Sequence, residues 1–150
     1  MNASAARQPV SWKFWAISVL SLLWNSIGAY DYVMTRLRDL AYLNKMTEGK
    51  GQPFLDWMDH AGIVVQIGWP VGIWASVAGS LLLLARSRHA VTAFLISLVG
   101  AVVSVGYERI SGFPAELDSG AVQIMQVVVI GIIALLWWWS RRAAARGQIS

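Results

Sequence analysis

Two apolar runs of this chain carry side chains that could do more than fill lipid. "WNSIGAYDYV" holds Asn25 and Tyr32, and "GAVQIMQVVV" holds Gln123 and Gln126. On a helix Asn25 shares a face with Ser21, Gly28 and Tyr32, while Gln123 and Gln126 lie three apart on a second face. Amides are costly to leave in lipid, so these faces are expected to point into a bundle. Two readings follow. The amides can bond helix to helix, at about 0.6–2 kcal/mol each. Alternatively, Asn25, Tyr32, Gln123 and Gln126 line a polar pocket for a hydroxylated or amide solute.

Asp31 is the only acid well inside an apolar run. It follows Phe14 by seventeen residues, which on a helix is about 25 Å. That places it at the outer membrane interface, rotated about 120° from Asn25 on 3.6-residue geometry. Glu108 and Arg109 end a later apolar run at the same level. Asp31, Glu108 and Arg109 are therefore expected to form ion pairs at the outer rim, Arg109 with Asp31, in preference to a proton relay. Small proton-coupled multidrug exporters also have four short helices, but they rely on an acid deep in the first helix. No acid stands at that depth here.

No catalytic constellation is present. The chain has no cysteine, which excludes disulfides, thiolate metal sites and thiol redox relays. His60 and His89 fall at opposite ends of neighbouring apolar runs, a membrane thickness apart, and cannot share a haem or metal. No glycine-rich phosphate loop or nucleophile elbow appears. The expectation is a protein that is not an enzyme and has no cofactor or metal.

The elements that must position these residues are read from composition. Of 150 residues, 57% are hydrophobic and 13% charged, with mean hydropathy +0.54. A soluble domain carries about 25% charged residues. Four runs approach the roughly 20 apolar residues needed to cross the hydrocarbon: about 12–34, 61–85, 89–107 and 119–140. The expected fold is all-α, an integral membrane four-helix bundle forming one transmembrane domain over residues 1–150. The second and third helices are joined by about four residues and must be antiparallel neighbours. Gly68, Gly72, Ser76 and Ser80 of the second helix are expected to face Ala93, Ser97, Gly100 or Ala101, and Ser104 of the third, a small-residue contact. Pro70 is expected to kink the second helix. The long link between the first two helices is expected to be partly helical and interfacial. Within it "TRLRDLAYLNKM" continues or bends from the first helix. Pro53 then starts a short helix with Phe54, Trp57 and Met58 on one face.

Net charge is +4, but the basic residues sit at the ends of apolar runs, where they orient helices and do not mark a nucleic-acid surface. Arg7, Lys13, Arg86, Arg88, Arg141, Arg142 and Arg146 fall on one side, against Arg36, Arg38, Lys45, Lys50 and Arg109 on the other. Both termini are thus expected in the cytoplasm. Trp12, Trp15 and Trp137–Trp139 would sit at the inner interface. The expected partners are the lipid bilayer and a second copy of the chain, as a dimer or larger assembly, because four helices rarely enclose an alternating-access path alone.

The stretch "KFWAISVLSLLWNSIGAYDYVMTRLRDLAYL", with "GSLLLLARSRHAVTAFLISLVG" and "ALLWWWSRRAAARG", resembles a family of small four-helix bacterial inner-membrane proteins. Some of its members are labelled sugar transporter. The resemblance implies an inner-membrane location and carriage of a small, sugar-like solute. A non-transporting scaffold or accessory protein that binds a partner is the alternative.

Overall fold

The computed structural model describes residues 9–150, which form six helices and no strand. Arg7, placed above on the cytoplasmic side, lies outside the described residues. In chain order the helices are α1 (Trp12–Arg36), α2 (Leu40–Met46), α3 (Gly51–His60), α4 (Ile63–Leu84), α5 (His89–Ser111) and α6 (Gly120–Ala145). Three of them, α4, α5 and α6, are long and apolar enough to cross a membrane. α1 is as long, at 25 residues, but falls short of the hydropathy those three reach because Asn25, Asp31 and its serines dilute the run. The helices also outrun the expected ends, α5 reaching Ser111 and α6 reaching Ala145. An apolar run marks contact with hydrocarbon, whereas backbone bonding continues until a cap stops it.

The caps follow local chemistry. Asp39 accepts a bond from Tyr42 N at 2.9 Å to start α2, and Ser119 accepts one from Val122 N at 3.3 Å to start α6. Gly112, at φ +83°, ends α5 while Phe113 N reaches back to Glu108 O at 3.1 Å, a Schellman closure. Arg38 ends α1 in the same left-handed conformation at φ +57°. The segment after α1 therefore turns into a separate helix and does not extend the first one.

Burial is inverted relative to a soluble protein. Ser18, Ser80, Ser97 and Ser140 are fully buried, while Leu20, Leu23 and Ile27 of α1 and Ile124 and Val127 of α6 are exposed. Small residues set the tightest contact, between α4 and α5. A Cβ on Gly100 would meet Gly68 O at 2.9 Å and Gly72 N at 3.0 Å. Gly68 and Gly72 face Ser97, Gly100 and Ser104 as the spacing predicts, whereas Ser76 and Ser80 hydrogen-bond to α1, and Pro70 lies inside the continuous α4.

α1 packs on α4, α4 on α5 and α5 on α6, which leaves α1 and α6 as the ends of an arc. The arc closes at the end nearer the termini. There Phe14 lies 5.3 Å from Trp139 in a core with Leu83, Phe94, Leu136 and Ile149. The chain after α6 is tied to the α4–α5 turn, with Ser150 N on Arg86 O at 3.0 Å and Arg88 N on Ser150 O at 3.2 Å. Arg141 and Arg142 lie over the rings of Trp137 and Trp138, at 5.0 and 4.2 Å. At the opposite end α2 and α3 pack on each other. α3 is braced by Arg38–Asp59 at 2.8 Å and by Trp57 edge-on to Phe113 at 4.9 Å. Arg38 holds Asp59 below the usual carboxylate range through its hydrogen bonds and charge.

Candidate functional site: a cavity between α1 and α6

Where the arc stays open, a cavity of about 410 Å³ separates α1 from α6. α1 contributes Trp24, Asn25, Gly28 and Asp31, and α6 contributes Met125, Gln126, Val129 and Ile133. α4 and α5 form its back wall, where Trp69, Ser76, Ser104 and Glu108 matter most for chemistry. Phe54, Trp57 and Met58 of α3, with Met46 of α2, cover the end away from the termini. The link expected to be partly helical and interfacial therefore supplies part of the cavity wall.

Asn25 is 5% exposed and anchors α1 to α4. Its Nδ2 donates to Ser80 Oγ at 2.8 Å and to Ser76 O at 3.3 Å, and Ser21 Oγ meets Ser80 Oγ at 2.6 Å. A backbone carbonyl can only accept, so Ser76 O sets the direction of the amide. The amide's donor end is thus committed to α4. Asn25 Oδ1 accepts no hydrogen bond among the described residues. Ser104, 4% exposed, carries a hydroxyl with no partner on the same back wall.

The other expected site residues are dispersed. Gln126 reaches the cavity, where its Nε2 donates to Glu108 Oε2 at 2.9 Å and its Oε1 accepts from Arg109 Nη2 at 2.6 Å. Gln123 lies outside the cavity and donates to Asp118 Oδ2 at 3.2 Å. Tyr32 also lies outside it, edge-on to Trp69 and Trp74 at 5.2 and 6.3 Å. The four residues proposed as one polar pocket are not one cluster: Asn25 and Gln126 border the space, and Tyr32 and Gln123 do not.

The rim pairing also differs from expectation. Arg109 pairs with Asp118, its Nη1 lying 2.7 Å from both carboxylate oxygens, and not with Asp31. The two are nine residues apart across the α5–α6 turn, so local closure supplies the partner before a distant helix can. Through those bonds Arg109 holds Asp118 below the usual carboxylate range. Asp31 instead accepts a bond from Tyr42 Oη at 3.1 Å. Burial, then the negative charge of Asp31, pushes the Tyr42 phenol up to about 12, so it stays a proton donor at neutral pH. Asp31 and Glu108 both border the cavity, and neither is in an ion pair among the described residues.

The 120° between Asn25 and Asp31 does not send them to different surroundings. The open face of α1 is wide enough to hold both, centred on Trp24 and Gly28. The aromatic wall was the part missed. Trp24 next to Asn25, and Gly28 four residues on, were the available signals.

The wall can enclose a small molecule and offers it carboxylate oxygens, one amide oxygen, one hydroxyl and several ring faces. Among the described residues no group of three or more His, Asp or Glu could hold a metal ion. No protein-family model matches the chain, and no curated protein or solved structure is significantly similar to it.

Proposed function

We propose that this is a multi-pass protein of the bacterial cytoplasmic membrane that binds and carries a small solute through the α1–α6 cavity. In this reading α1 is the fourth span of a four-helix bundle. Its exposed Leu20, Leu23 and Ile27 suit lipid, and its buried Ser18, Ser21 and Asn25 suit a bundle interior. The basic residues at the end nearer the termini keep both termini cytoplasmic. Membership of the small inner-membrane family that the first-helix motif resembles belongs to the same proposal.

The observation that carries the reading is the position of the cavity. It lies between the two neighbouring long helices that do not pack along their length, so it can widen without breaking the α4–α5 contact. At about 410 Å³ it falls in the usual range of small-molecule sites. Its wall is mostly apolar, which suits an amphiphile better than a sugar, whose hydroxyls would go unpaired there. The carriage part of the expectation is kept and the sugar part replaced. A path through four helices is short, so the working unit is a dimer or larger assembly.

A scaffold reading has one observation in its favour: Asn25 spends its donor end on α4, as a purely structural amide would. Uptake into proteoliposomes separates the two, comparing wild type with Gly28→Leu. A Cβ at Gly28 meets nothing within 4 Å, so leucine there fills the cavity without displacing backbone. Carriage predicts saturable uptake of an amphiphilic solute that Gly28→Leu abolishes while the protein stays folded. A full panel of solutes that do not move, in protein that remains monodisperse, supports the scaffold instead.

A further inference from the structure

Neither carboxylate at the cavity is in an ion pair among the described residues. Asp31 is held by the neutral phenol of Tyr42 and Glu108 by the neutral amide of Gln126, and both are only half buried. Arg109, next to Glu108 in the chain, is engaged by Asp118 and by Gln126 Oε1. Among the described residues no Lys, Arg or His borders the space. The rest of the wall is rich in rings, with Trp24, Trp57 and Trp69 from three different helices and Phe54 and Phe113 beside them.

Resting on the carriage reading above, we propose that the solute is an organic cation with an apolar body, its positive centre set between Asp31 and Glu108 and its body against the tryptophans. Three features of the wall select this class. Carboxylates that leave water lose hydration, and a cation is the ligand that restores favourable interactions to both. Ring faces attract a diffuse, weakly hydrated cation by cation–π contact, more strongly once it is desolvated. The unpartnered Ser104 hydroxyl and the free Asn25 oxygen lie on the same walls and can accept an N–H from a protonated amine. An anion meets two carboxylates with no arginine or lysine on the described wall to receive it, which costs it affinity. A zwitterionic phospholipid brings its phosphate into the same repulsion. The carboxylates thus supply selectivity by charge, while the rings supply tolerance of shape.

The test uses the full chain in phosphatidylcholine nanodiscs and equilibrium dialysis of radiolabelled tetraphenylphosphonium, with empty nanodiscs as background. Tetraphenylborate is the matched anion of the same shape. The proposal predicts saturable phosphonium binding that Gly28→Leu removes. It also predicts that Asp31→Asn/Glu108→Gln weakens binding by roughly tenfold or more, and that the borate binds far more weakly. The isosteric amides keep an oxygen for the Tyr42 and Gln126 bonds. If the double variant is not monodisperse, Glu108→Gln alone is read for a smaller loss of the same sign. Binding that Gly28→Leu removes but the amides leave unchanged, or equal binding of the borate, overturns the cation assignment and leaves the cavity reading intact. No saturable binding of the phosphonium overturns it too, and the uptake panel with Gly28→Leu then decides the carriage reading separately.

Discussion

The two ends of the molecule use the same long helices differently. Nearer the termini, Phe14, Leu83, Phe94 and Leu136 fill the space between α1 and α6, and the last residues of the chain cover it. Toward α2 and α3 the same two helices part, and carboxylates, amides and tryptophan rings line the gap. The difference lies in what each helix offers at each level. At the closed end bulky apolar residues on both helices meet. At the open end α1 presents Gly28 and α6 presents the modest Val129. A membrane bundle has little hydrophobic drive to close such a gap, since lipid tails are as apolar as the side chains. The closed end is expected to bear stability and the open end to bear function.

The largest effect that could break this contrast is at Phe94, fully buried against Gly79. Phe94→Ala should destabilise by about 3–5 kcal/mol, read as a large loss of thermal stability in detergent, whereas Val129→Ala should cost far less. Equal losses would erase the distinction. Next comes one substitution at two glycines. Gly100→Ala drives a Cβ against the backbone of α4 and should cost about 1–3 kcal/mol. Gly28→Ala meets open space and should gain about 0.5–1 kcal/mol from lower chain entropy and better helix propensity. Asn25→Leu follows, losing about 0.6–2 kcal/mol as its bonds to Ser76 and Ser80 disappear.

The smallest effect is on pH. Arg109 keeps the Asp118 pKa below its ordinary 3.8, so the pair contributes fully above that value. The contribution fades as pH falls through the lowered pKa. Because the pair is exposed, the melting temperature should be flat from neutral pH to about 4 and dip only slightly below it. Arg109→Gln should make the dip shallower, leaving the share of the Arg38–Asp59 pair.

Much of this arrangement is legible in the sequence, and what is not has a physical reason. Apolar length marks α4, α5 and α6, and glycine and serine spacing marks the α4–α5 contact, because both depend on residues near one another in the chain. Helical rotation also indicates which way Asn25 faces. Spacing does not say how far one helix stands from another. The parting of α1 and α6 is decided by side chains about a hundred residues apart, and with it the move of Asp31 from rim to cavity wall. Arg109 illustrates the same limit: two carboxylates lay within plausible reach, and the turn at Gly112 brings Asp118 to it first.

The contrast comes down to a space between α1 and α6 that admits water and solute at the level of Gly28 and Val129 and is filled by side chains at the level of Leu136. The chain has no cysteine, so single cysteines report their own surroundings without a background. The reaction rate with N-ethylmaleimide in proteoliposomes reads hydration, since the thiolate forms only where water reaches the sulfur. The account predicts fast labelling of Val129→Cys in the cavity, slowed when Gly28→Leu is added. It predicts slow labelling of Leu136→Cys in the closed end and of Ile124→Cys on the exposed apolar face of α6. A Val129→Cys as inert as the other two, or one indifferent to Gly28→Leu, would contradict it.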